Sequence, residues 1–67
     1  MAYTFDFIGN DGSIDHFQLG LFADDLEALK QAQAALLASS TAIAVDVWRG
    51  DDRVGWLDRR AARRARN

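Results

Sequence analysis

The stretch Ala23–Ser39 (ADDLEALKQAQAALLAS) limits what this chain can fold into more than any other. It opens with Asp24, and Glu27 follows three residues later. That spacing predicts a capping box, in which each side chain satisfies a free amide at a helix start. Asp24, Asp25 and Glu27 also crowd the first turn, where negative charge suits the positive end of the helix dipole. Leu26, Leu29, Ala32, Leu36 and Leu37 recur at three- and four-residue spacing and predict one apolar stripe, with Gln33 falling inside it. A helix with one apolar stripe needs a surface to cover that stripe.

Strand-like segments on either side supply the surface. In Tyr3–Ile8, Tyr3, Phe5 and Phe7 alternate with Thr4, Asp6 and Ile8, the period of a strand. Gly9-Asn10-Asp11-Gly12 reads as a hairpin turn. A two-residue loop would put Ile14, His16 and Gln18 on the aromatic face. A three-residue loop, Asn10-Asp11-Gly12, with Gly12 in the left-handed conformation, puts Phe17 opposite Phe5 and Leu19 opposite Tyr3. Burial of two large apolar side chains favours the second, which turns His16 away from the helix. Beyond the helix, Ile43, Val45 and Val47 alternate with Ala44, Asp46 and Trp48 in a third strand rich in β-branched residues. A turn at Gly50-Asp51-Asp52 leads to a fourth. An even-length loop there pairs the Val45/Val47 face with Val54 and Trp56, leaving Trp48 on the other face.

The order strand, strand, helix, strand, strand predicts an α+β fold: a two-layer ββαββ domain over residues 1–58. Its four-stranded antiparallel sheet has order 2-1-3-4, with the most apolar strands central and the helix on one face. The open face would hold Thr4, Asp6, Ile8, Ile14, His16, Ala44, Asp46, Trp48 and Leu57. Sixty-seven residues allow one core only, and a core of that size supplies roughly 3–5 kcal/mol of net stability.

Charge divides the chain at the same boundary. Residues 1–58 carry ten acidic side chains against Lys30, Arg49 and Arg53, a net of −7, whereas residues 59–67 carry five arginines and no acid. This basic tail (Arg59, Arg60, Arg63, Arg64, Arg66) is expected to be flexible or weakly helical. There is no cysteine, so disulfides and thiolate metal sites are excluded, and one histidine cannot make a two-histidine site. No run approaches the roughly 20 apolar residues of a membrane span. The start MAYTFDF has neither a basic flank nor a long apolar run, so no signal peptide is expected there. The expectation is a cytoplasmic protein without membrane contact.

Three segments together carry a family resemblance. They are Tyr3-x-Phe5-x-Phe7 with Asp11-Gly12 after it, Ala23-Asp24-Asp25-x-Glu27-Ala28, and Val45-x-Val47-Trp48-x-Gly50-Asp51. Over about residues 3–57 the chain resembles a family of short, uncharacterised bacterial proteins, a domain of unknown function. The resemblance implies a small α+β domain and brings no activity, cofactor or catalytic residue with it.

Motifs that suggest chemistry weaken on inspection. Aligning Gly12 with the invariant glycine of a calcium loop puts Phe7, Gly9 and Gln18 where ligands belong. Asp15 and His16 are adjacent on a strand and should point to opposite faces. Arg49-Gly50-Asp51 matches an adhesion tripeptide, but Gly-Asp is ordinary turn chemistry. No catalytic residue, metal or cofactor is expected, and the chain reads as a non-enzyme. The sharper signal is Trp48 sharing a face with Ile8, Ile14, His16 and Leu57, a patch that marks a protein–protein interface unless the tail or a loop covers it. The reading is a domain acting through protein contact as a homodimer. The alternative is an accessory nucleic-acid binder using the tail arginines, although the acidic body repels a polyanion and no aromatic residue interleaves the tail. The other readings of the tail are a solvated segment that offsets the body's charge and one that docks on an acidic surface.

Overall fold

The computed structural model describes residues 1–59. It contains β1 (Ala2–Ile8), β2 (Ile14–Leu21), α1 (Asp25–Ala38), β3 (Ala44–Arg49) and β4 (Asp52–Asp58). The strands form one antiparallel sheet in the order β2-β1-β3-β4, the expected ββαββ topology. Caps set the helix limits. Asp24 accepts from the Glu27 amide at 2.9 Å, and the Glu27 carboxylate accepts from the Ala23 amide at 2.8 Å. At the other end the Ser39 amide closes onto the Ala35 and Leu36 carbonyls.

The core lies between α1 and the inner face of the sheet. Tyr3, Phe5, Phe7, Val45 and Val47 meet Ala28, Ala32 and Leu36, with Phe22, Leu29, Ala35, Val54 and Leu57 packed at its margin. The buried helix face therefore runs through Ala28/Leu29, Ala32 and Ala35/Leu36, a phase different from the expected one. Leu26 is 61% exposed and Leu37 is half-buried. Asp25 is responsible. It lies on the same helix face as Ala28, Leu29 and Ala32, and its carboxylate accepts from the Tyr3 hydroxyl at 2.7 Å and the Arg49 guanidinium at 2.7 and 2.8 Å. That anchor rotates Leu26 outward. The helix packs chiefly on β3 and β4, touches β1 less, and leaves β2 essentially uncovered.

The first hairpin departs from the expected register. Phe5 pairs with Gln18, Tyr3 with Gly20 and Phe7 with His16, and then a bulge at Asp15 shifts the ladder so that Ile8 pairs with Ile14. Phe17 and Leu19 face away from the core. The turn itself is the expected three-residue loop. The Gly12 amide bonds the Gly9 carbonyl, the Gly9 amide bonds the Ser13 carbonyl, and the Asp11 carboxylate accepts from the Ser13 amide and hydroxyl. Gly12 takes the left-handed conformation, φ 84°. Ile8 therefore still lies opposite Ile14, and it is the bulge at Asp15, past the turn, that moves every later β2 side chain to the opposite face. Phe22 replaces Phe17 as the aromatic cover. Its ring stacks on Phe5 at 5.5 Å and lies 5.9 Å from Tyr3.

The second hairpin also departs. A bulge at Val54 pairs Trp48 with Arg53, Val47 with Gly55, Asp46 with Trp56 and Val45 with Leu57. Leu57, expected on the open face, joins the core margin, and Trp56, expected inside, faces out. Gly55 lies beneath the helix, where an added Cβ would sit 3.2 Å from Leu29; no indole fits there. Arg59, assigned from sequence to the tail, belongs to the domain. Its amide bonds the Ile43 carbonyl, and its guanidinium donates to the carbonyls of Leu36 (2.7 Å) and Ala42 (3.0 Å) at the helix C-terminus. Arg60, Arg63, Arg64 and Arg66 lie outside the described residues.

Candidate interaction surface

The open face of the sheet is an ordered array. Across β2, β1, β3 and β4 the side chains read Ile14–Ile8–Ala44–Asp58, then Phe17–Asp6–Asp46–Trp56, then Leu19–Thr4–Trp48–Arg53. Leu21 extends the apolar set opposite Ala2. Of the five residues expected at an interface, Ile8, Ile14 and Trp48 lie on this face. His16 and Leu57 do not, because the two bulges reverse the parity of their strands. Phe17, Leu19, Leu21 and Trp56 take their place. The first turn gave no signal of this, because it is the expected one and the parity of each strand changes only at a bulge past its turn.

Exposure is uneven over the array. Phe17, Leu19 and Leu21 are 62%, 74% and 79% exposed, whereas Ile8 and Trp48 are half-buried. The helix is absent from the other side of β2, so its inward residues His16 and Gln18 are exposed as well. At the centre Asp6 and Asp46 are direct cross-strand neighbours. Asp46 is only 7% exposed. One of its oxygens accepts from the Arg53 guanidinium at 2.7 Å, and the other, Oδ1, is buried without a hydrogen-bond partner among the described residues. The same guanidinium lies 5.2 Å above the Trp48 ring, within reach of a cation–π interaction.

His16 stacks on Phe7 at 4.5 Å, and its Nδ1 approaches the Asp15 carboxylate at 2.9 Å. Sequence reasoning placed these two neighbours on opposite faces; the bulge at Asp15 brings them together. Asp15 also accepts from the Thr41 hydroxyl at 2.8 Å, and the bonds from His16 and Thr41 hold its carboxyl below the usual range. A shallow dish beside this pair is lined by Asp11, Ser13, Asp15, Ser40 and Thr41. Its two carboxylates are engaged in ordering the loops, and no hydroxyl is hydrogen-bonded to His16 among the described residues. Among the described residues no group of three or more histidines and carboxylates could hold a metal ion, and no helix is long and apolar enough to cross a membrane.

A second polar cluster is structural. The hydrogen bonds from Tyr3 and Arg49 hold the Asp25 carboxyl below its ordinary range, and burial beside that carboxylate raises the Tyr3 hydroxyl. It joins β1, α1 and the end of β3. Comparison with known proteins returns no match: no family model, no curated protein and no solved structure aligns with the chain.

Proposed function

We propose that this chain is a small non-enzymatic domain acting through protein–protein contact, and that it forms a homodimer by pairing β2 with β2 of a second copy. The observation that carries the reading is the exposure of β2 on both faces together with Phe17, Leu19 and Leu21 on one of them. An edge strand presents unpaired backbone N–H and C=O groups, a template for another strand. Antiparallel pairing about a two-fold axis sets one patch against its own copy. It also gives Phe17 and Leu19 apolar neighbours across the new ladder, where full burial of each large side chain is worth roughly 1.5–3 kcal/mol.

Stacking two open faces centred on β1 and β3 is less favourable. It would bring Asp6 and Asp46 of both copies together, and like charges at a desolvated contact repel. Ile8, Ile14 and Trp48 then flank the contact rather than fill its centre. Sedimentation equilibrium over a range of concentrations tests the reading. The wild-type mass should rise towards the dimer, Leu19→Asp should hold it at the monomer with unchanged circular dichroism, and Trp48→Asp should weaken association less than Leu19→Asp. A wild type that stays at monomer mass at every concentration would overturn it.

A further inference from the structure

The β3–β4 half of the open face differs chemically from β2 and has its own unsatisfied group. Asp46 faces the open side, yet its side chain is nine-tenths buried and Oδ1 has no hydrogen-bond partner among the described residues. Asp6 stands beside it on β1 and Trp56, half-exposed, on β4. Arg53 shows what such a surface binds: its guanidinium donates to Asp46 while lying over an indole. A planar guanidinium combines those two contacts, whereas an ammonium is a point charge.

We infer that this half of the face is a receptor for an arginine-bearing segment, and that its occupant is residues 60–66 of the same chain. Charge complementarity selects the segment. Residues 60–67 carry four arginines and no acid, and residues 1–59 carry ten acids against four bases. Reach allows it. Arg59 is pinned to the Ile43 carbonyl and the helix end, so the segment departs from beside Asp58, which lies in the row next to Asp46. One strand across and two residues along is roughly 8 Å. Arg63 and Arg64 span that distance with slack even after the chain reverses, and tethering gives the segment an effective concentration of order millimolar. The arriving guanidinium donates to Asp6 and stacks on the Trp56 ring, and Asp46 Oδ1 accepts from it once the side chains over that oxygen shift. The inference stands apart from β2 pairing, since the two surfaces lie on opposite halves of the sheet.

The test is acrylamide quenching of Trp56 in the full chain carrying Trp48→Phe, compared with the same chain carrying Arg63→Gln and Arg64→Gln. At low salt the arginine-containing chain should be quenched roughly half as strongly, because one side of a half-exposed ring is covered. At about 0.5 M salt, where exposed charges are screened, the two should converge. Asp6→Asn should reproduce part of the difference without touching the segment. Equal quenching at low salt would overturn the inference, as would quenching that changes on dilution, since the segment would then bind another copy. If a short oligonucleotide binds the arginine-containing chain in a salt-sensitive way while Trp56 quenching is the same in both chains, the arginines serve a polyanion instead.

Discussion

The sheet has two edges, and they are built differently. β4 is backed by α1, broken by a bulge at Val54, studded with Asp52, Arg53 and Asp58, and followed by Arg59, which ties its end to the helix C-terminus. Charge, irregularity and cover are the usual means by which an edge strand is kept from pairing. β2 has few of them. It is eight residues long, carries no lysine, arginine or proline, and its irregularity and only acid lie at one end. It also lacks the helix. One edge is closed by its own chain, and the other depends on the turn and on Phe22 for the little cover it has.

The largest expected contrast is in stability. Leu36 is fully buried beneath the β3–β4 half, and Leu36→Ala should destabilise by about 2–5 kcal/mol. Leu21 on β2 is 79% exposed, and Leu21→Ala should change stability by less than about 0.5 kcal/mol in the monomer. Urea denaturation at low protein concentration measures both. Similar losses would mean that the two halves are equally integrated.

A smaller contrast lies in one glycine on each edge strand. An added Cβ at Gly20 would fall 2.6 Å from the Phe22 ring, which must move and give up its stacking on Phe5. Gly20→Ala should cost about 1–3 kcal/mol, as overpacking does. At Gly55 the nearest atom is a Leu29 methyl at 3.2 Å, which can yield by a few tenths of an ångström, so Gly55→Ala should cost less than about 1 kcal/mol. The reverse order in thermal melts would show that β2 tolerates rearrangement better than the helix-backed edge.

The smallest effect is the part of the pH dependence that the helix-backed half contributes through Asp25 and Tyr3. Because the folded Asp25 carboxyl titrates below its ordinary value of 3.8, its contribution to stability is complete above that value. It is lost as pH falls through the depressed folded value. Tyr3 works in the other direction: its contribution is complete below the ordinary value of 10.0 and is lost as pH rises through the raised folded value. Asp25→Asn should flatten the acid limb of denaturation midpoint against pH and reduce the alkaline limb. An unchanged acid limb would show that Asp25 is not the group that responds.

The elements, their order and the strand order 2-1-3-4 were legible in the residues because each rests on local or pairwise rules. The cap at Asp24 and Glu27, the alternation in Tyr3–Ile8 and the β-branched run before Trp48 need no distant partner to be read. Half of the candidate surface was legible for the same reason: Ile8, Ile14 and Trp48 lie on the open face. What tertiary structure decided was parity and phase. A bulge of one residue at Asp15 and another at Val54 exchanged His16 for Phe17 and Leu57 for Trp56, because a strand alternates faces at every residue. Apolar burial argued for Phe17 inside and the turn is the one that argument chose, but the bulge past it turned Phe17 out, and Phe22 returns over Gly20 to cover Phe5. Helix phase was settled across the fold too, by Tyr3 and Arg49 converging on Asp25 from two different strands. Arg59 crossed from tail to domain on similar grounds, since the carbonyls it caps come together only when β4 ends beside the helix.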